Sequence, residues 1–122
     1  MPRPMHFEIP TENPDRAIAF YSGVLGWTFQ KWDGPSEYWL IMTGADGEPG
    51  INGGMLRRRD PGQPCVNTVG VADLDATLSA VAQHGGACVV PRMPIPGVGW
   101  LAYCKDTDGH IFGLMQSDTS AK

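Results

Sequence analysis

Two titratable side chains stand two residues apart near the start of the chain, in Met5-His6-Phe7-Glu8-Ile9. On an extended strand, residues i and i+2 project to one face, so the His6 imidazole and the Glu8 carboxylate are presented together. Such a pair can act as general acid and base, or the carboxylate can fix the imidazole's tautomer. A hydrogen-bonded pair at a strand end with no chemistry to do is the equally open alternative. The other histidines read as structural. His84 precedes Gly85-Gly86 at a helix end, where a cation suits the dipole. His110 follows the turn Asp106-Thr107-Asp108-Gly109, at the surface or a strand edge. Cys65, Cys88 and Cys104 are odd in number, lack C-x-x-C spacing and sit in apolar strand-like contexts, so they read as small hydrophobes.

The elements that must position His6 and Glu8 are a strand stopping at Pro10 and a helix opened by Asn13-Pro14. Asn13 can cap the helix, and Pro14 fits the first helical position without losing a hydrogen bond. Ala17, Phe20, Tyr21 and Val24 recur at helical spacing as an apolar face, widened by Ile18 and Leu25, and Gly26 ends the helix. Strands follow at 27–32, 38–42 and 51–56, the second a nearly unbroken apolar and aromatic run. After the linker-like Asp60-Pro61-Gly62-Gln63-Pro64, a strand at 65–71 leads to a helix capped by Asp73. Leu74, Leu78 and Val81 give that helix its apolar face, and Gly85-Gly86 stop it. Further strands are expected at 87–90, 100–105 and 111–116, with Pro91 to Gly99 as a loop able to serve as a lid.

The second series repeats the first at an offset of 60 residues: Asn13 maps to Asp73, Gly26 to Gly86 and Ile51 to Ile111. Each half reads strand, helix, strand, strand, strand. The predicted fold class is therefore α+β: two tandem βαβββ modules in one domain over 1–122, module one at 5–60 and module two at 65–117. Each module has an apolar sheet face it cannot cover alone, and pairing curved mixed sheets leaves a cavity between them.

The bulk composition narrows the partners. A net charge of −4 offers no basic excess for nucleic acid. The one basic run, Arg57-Arg58-Arg59, reads as a solvated strand end. No apolar run is long enough for a membrane span, and the N-terminus has no signal-peptide core, so the expectation is a cytoplasmic protein without nucleic-acid or membrane partners.

The segments D-R-A-I-A-F-Y-S-G-V-L-G-W at 15–27, D-L-D-A-T-L at 73–78 with Q-H-G-G at 83–86, I-P-G-V-G-W at 95–100 and D-T-D-G-H-I-F-G-L at 106–114 resemble the vicinal oxygen chelate superfamily. That superfamily includes glyoxalase I, bleomycin and fosfomycin resistance proteins and extradiol dioxygenases. The F-E-I-P opening and the P-G-V-G-W loop are closest to predicted enzymes related to lactoylglutathione lyase. The resemblance covers essentially the whole chain and implies the glyoxalase/bleomycin-resistance/dioxygenase fold, commonly as a homodimer.

The resemblance also implies a divalent metal held by four side chains, two per module. The corresponding positions are His6, Val66, Gly53 and Gly113, so His6 is the one orthodox metal ligand left. Catalytic metal sites normally take three protein ligands plus an open position. The expectation is a degenerate metal site and no cofactor, with His6 and Glu8 as the catalytic pair. Trp39 and Trp100 are candidates for stacking on a flat substrate, Asn52 and Asn67 for polar contacts, and Gly53 and Gly113 for enlarging the cavity. Three functions follow from the resemblance: a metal-free lyase or isomerase acting on a small molecule, a non-catalytic drug-binding protein of the bleomycin-resistance kind, or a metal-dependent lactoylglutathione-lyase-like enzyme.

Overall fold

A computed structural model describes residues 2–122. Among them are eight strands and two helices: β1 (Arg3–Thr11), α1 (Pro14–Leu25), β2 (Thr28–Lys31), β3 (Trp39–Met42), β4 (Gly53–Arg57), β5 (Val66–Gly70), α2 (Leu74–Gln83), β6 (Ala87–Ile95), β7 (Gly99–Lys105) and β8 (Ile111–Ser117). The fold is α+β, with each half in the expected order β-α-β-β-β. The chain divides into two compact units, residues 6–65 and residues 66–122, the latter joined by the chain's start through Met5.

In the first unit the strands run β2-β3-β4-β1, with β1 and β4 parallel and the other pairs antiparallel. Asn13 opens α1 as expected, its side chain accepting from Arg16 N at 3.0 Å. Gly26 closes it in the left-handed region (φ 71°), donating to Ser22 O at 3.0 Å, a conformation only glycine adopts without strain. The buried face of α1 is rotated from the expected one. Pro14, Ala17, Ile18 and Tyr21 turn inward, whereas Phe20, Val24 and Leu25 are 59%, 63% and 51% exposed. Trp27, just past the helix, sets that rotation by stacking on Tyr21 (centroids 5.3 Å) and packing on Phe7 (5.6 Å). Ile41 and Met55 are fully buried.

The second unit runs β5-β8-β7-β6, again with one parallel pair, β5 with β8. Asp73 caps α2 through Ala76 N at 3.0 Å. Leu78 and Val81 pack on a core of Leu74, Ala102, Cys104 and Leu114, as the apolar spacing requires. His84 caps the end of α2, its Nδ1 2.9 Å from Ala80 O, which is a structural duty. The expected loop over Pro91–Gly99 is instead mostly strand. Strand β6 continues through Met93, Pro94 and Ile95 opposite Leu101, Trp100 and Gly99, with register shifts between Cys88 and Val90 and between Val90 and Met93. These irregularities accommodate Pro91 and Pro94 on a strand that ends the unit's order, where a missing backbone donor is tolerated.

Two kinds of substitution test this assignment. Asn13→Ala and Asp73→Ala should each cost about 1 kcal/mol of unfolding free energy as lost caps, and Leu74→Ala about 2–5 kcal/mol as a core cavity. Urea unfolding reads both; midpoints unmoved by the cap variants would contradict the helix starts.

Candidate functional site

Pairing registers assign each side chain of the first unit to a face. Glu8 lies opposite Gly54, and Gly54 opposite Leu40. With the two-residue alternation of strands, His6, Glu8, Tyr38, Leu40 and Gly54 share one face. The next row, Phe7, Gly53 and Ile41, belongs to the other face.

On the first face His6 and Glu8 come together through a residue absent from the sequence-based site, Tyr38. Its hydroxyl lies 2.7 Å from His6 Nε2 and donates to Glu8 Oε2 at 3.1 Å. The ring is nearly parallel to the imidazole (15°, centroids 6.4 Å) and meets the edge of Trp32 (78°, 6.2 Å). Backbone pairing holds Tyr38 just ahead of β3, with Trp32 N donating to Tyr38 O at 2.8 Å. Next to it, Glu37 pairs with Arg57. Space for the ring comes from Gly54, where a Cβ would collide with the Tyr38 hydroxyl and ring carbons.

The proton arrangement follows from the donors. A phenol has one proton, and here it goes to Glu8, so the His6 nitrogen facing it must be the N–H donor. In the neutral imidazole that leaves Nδ1 as the basic nitrogen. Burial holds the His6 pKa below its ordinary value of 6.5, with the Glu8 charge working in the opposite direction.

The remaining candidates are dispersed. Trp39 sits on the opposite face from Tyr38, paired with Met55 and with Lys31 Nζ 5.6 Å from its ring centroid. Gly53 is also on that face, and the Phe7 ring fills its side-chain space at 2.6 Å, so it does not widen the face bearing His6. Asn52 ties the base of the β3–β4 loop, accepting from Thr43 N at 2.9 Å. Asn67 is exposed on β5. Trp100 packs beside the α2 core, donates to Asp118 Oδ2 at 3.1 Å and carries the Arg92 guanidinium 4.3 Å from its ring centroid. Gly113 lies opposite Thr68, whose Oγ1 is 2.7 Å from where its Cβ would stand. Two hollows, one lined by residues 43–50 and Asn52 and one by Pro2, Gly70–Ala72 and Met115–Ser117, include neither His6, Glu8 nor Tyr38.

The registers also correct the repeat. Glu8 pairs with Gly54, and Thr68, sixty residues after Glu8, pairs with Gly113, so Gly113 corresponds to Gly54 rather than to Gly53. The four positions implied for a metal become His6, Val66, Gly54 and Gly113. Val66 and both glycines carry no ligand atom. The space over Gly54 is taken by Tyr38, and that over Gly113 by Thr68. This donor set does not fit a divalent ion. Elsewhere among the described residues, ligand atoms of Asp106, Asp108 and His110 lie within 4.8 Å of one another, all exposed. Asp106 is committed to the turn: it accepts from Asp108 N at 2.8 Å and His110 N at 2.9 Å. Those bonds, that of His110 first, lower its pKa.

A histidine NMR titration tests the arrangement. His6 should titrate below 6.5, and Glu8→Gln should lower its midpoint further by removing the charge that raises it. Because the folded pKa is the lower one, the unfolded chain takes the proton first. This contribution to stability is therefore present above pH 6.5 and lost as pH falls from there through the folded value. Gly54→Ala should cost about 1–3 kcal/mol as overpacking and return the His6 midpoint toward 6.5 as Tyr38 is expelled. A Gly54→Ala protein with unchanged stability and His6 titration would contradict the assignment.

Comparison with known proteins agrees with this architecture. Residues 3–114 match the family model of the Glyoxalase/Bleomycin resistance protein/Dioxygenase superfamily. Over 112 residues the chain is 32% identical to the Mycobacterium bovis protein named "Putative glyoxylase CFP32", covering 89% of this chain and 42% of that one. The chain thus spans about two fifths of the length of the curated relatives it matches. Among solved structures, the hypothetical protein BH1468 from Bacillus halodurans superimposes with a TM-score of 0.73 at 13% identity, over 99% of this chain and 98% of that one. Methylmalonyl-CoA epimerase from Mycobacterium tuberculosis gives 0.70 at 16% identity, over 94% and 87%. A Streptomyces coelicolor methylmalonyl-CoA epimerase in complex with 2-nitronate-propionyl-CoA gives 0.70 at 17%, over 98% and 97%. The chain belongs to the glyoxalase/bleomycin resistance protein/dioxygenase superfamily.

Proposed function

We propose that this chain carries a metal-free proton-transfer site of the lyase or isomerase kind, acting on a small carbonyl compound with an acidic neighbouring C–H bond. The observation that carries this reading is the Tyr38 hydroxyl bridging His6 Nε2 and Glu8 Oε2. Similarity of fold to methylmalonyl-CoA epimerases supports the reaction class by analogy only.

In this reading Glu8 takes the proton from carbon as the C–H bond breaks. The electron pair passes to the carbonyl oxygen as an enolate. The Tyr38 hydroxyl turns from the newly protonated Glu8 to that oxygen, and the His6 N–H bond to the Tyr38 oxygen makes the phenol a stronger donor. Returning the Glu8 proton to carbon completes an isomerisation, with all atoms conserved. A neutral His6 suits this role, because it donates through Nε2 without placing a second full charge beside Glu8.

The test is solvent exchange in heavy water with two probes, methylmalonyl-CoA and the hemithioacetal of methylglyoxal and glutathione. Deuterium should enter at the carbon next to the carbonyl of at least one probe. Tyr38→Phe and Glu8→Gln should each slow exchange by about 10²–10⁴-fold. Binding of both probes with no exchange would favour the drug-binding alternative and refute the proposal.

A further inference from the structure

We propose that Cys88 and Cys104 form an oxidation site, which a peroxide converts to a disulfide between β6 and β7 while Cys65 stays a thiol. The register places Cys88 directly opposite Cys104 in this antiparallel pair. Directly opposed residues have Cα atoms about 4.5 or 5.5 Å apart, and both spacings lie within the roughly 4.4–6.8 Å that a disulfide spans. Their side chains leave the same face. The Cys88 thiol donates to Val90 O at 3.4 Å.

Burial assigns the order of events. Cys88 is exposed and meets the oxidant; Cys104 is fully buried in the Leu74–Ala102–Leu114 core. That burial, and then the neighbouring Cys88, push the Cys104 thiol up to about 11, which suits it to resolve rather than to initiate. The Cys88 sulfur attacks one peroxide oxygen, breaking the O–O bond and giving a sulfenic acid and water. The Cys104 sulfur then displaces the sulfenic oxygen, which leaves as water with the Cys104 proton. Two thiols are oxidised and one peroxide is reduced to two waters. Cys65, also exposed, belongs to the other compact unit.

The bond would fasten the edge strand where its ladder is weakest, immediately before both register shifts. The same strand carries Arg92 to the Trp100 ring and to Asp75 Oδ2 at 2.7 Å.

The experiment treats the reduced full chain with one equivalent of hydrogen peroxide, alkylates remaining thiols and maps peptides by mass spectrometry. The expected result is a Cys88–Cys104 linked peptide with Cys65 alkylated, a higher thermal midpoint, and reversal of both by dithiothreitol. Cys88→Ser, a change at an exposed position that leaves the core intact, should abolish the link and the thermal shift. Cys88 advancing to sulfinic acid beside an alkylatable Cys104, or a link involving Cys65, would overturn the proposal.

Discussion

The candidate site depends on a steric allowance: no side chain at Gly54. The glycine lies between Glu8 on β1 and Leu40 on β3, and the Tyr38 ring occupies the volume that a Cβ would claim. From there one hydroxyl reaches both the imidazole and the carboxylate. With any other residue at this position His6 and Glu8 would still share a face by strand alternation, but the group joining them would be displaced. Close approach, rather than an unusual backbone angle, is what this glycine provides.

The same device recurs in the second unit, at Gly113, with a different outcome. Gly113 opposes Thr68, and the threonine hydroxyl rather than an aromatic ring covers the glycine. The two halves thus keep one backbone plan while their equivalent positions carry different side chains: a hydrogen-bonded His6–Tyr38–Glu8 trio in one, and a small buried hydroxyl with an apolar Val66 in the other. Where the superfamily resemblance implies ligands, this chain has one imidazole and three positions without ligand atoms. A polar group there must be satisfied by neighbouring side chains, and Tyr38 does this for His6 and Glu8.

Much of the architecture was legible in the sequence. Caps at Asn13 and Asp73 and the glycine stop at Gly26 are local signals, set by hydrogen bonds within a few residues, and the structure places them where the sequence does. The Leu74–Leu78–Val81 stripe of α2 was equally plain. The stripe of α1 is ambiguous in the sequence because Ala17, Ile18 and Tyr21 compete with Phe20 and Val24 for the inner face, and Trp27 beyond the helix stacks on Tyr21. The pairing of His6 and Glu8 needed only strand alternation. Tyr38 is not legible as a site residue because Tyr38-Trp39-Leu40-Ile41-Met42 is a nearly continuous apolar and aromatic run that conceals which residues face which way. Only the register between β3 and β4 separates them, and register is a long-range property. The same register shows that Gly54, not Gly53, lies on the face of Glu8.

Tyr38 ties His6 to Glu8 at a position where the superfamily resemblance implies a metal ligand, so the imidazole is committed within the protein. Isothermal titration of nickel, zinc and manganese into the full chain, purified without chelator and analysed for metal content beforehand, tests it most directly. Well under one metal per chain is expected on purification, with titration curves that do not change with His6→Ala. One tightly bound metal per chain, lost in His6→Ala, would contradict it.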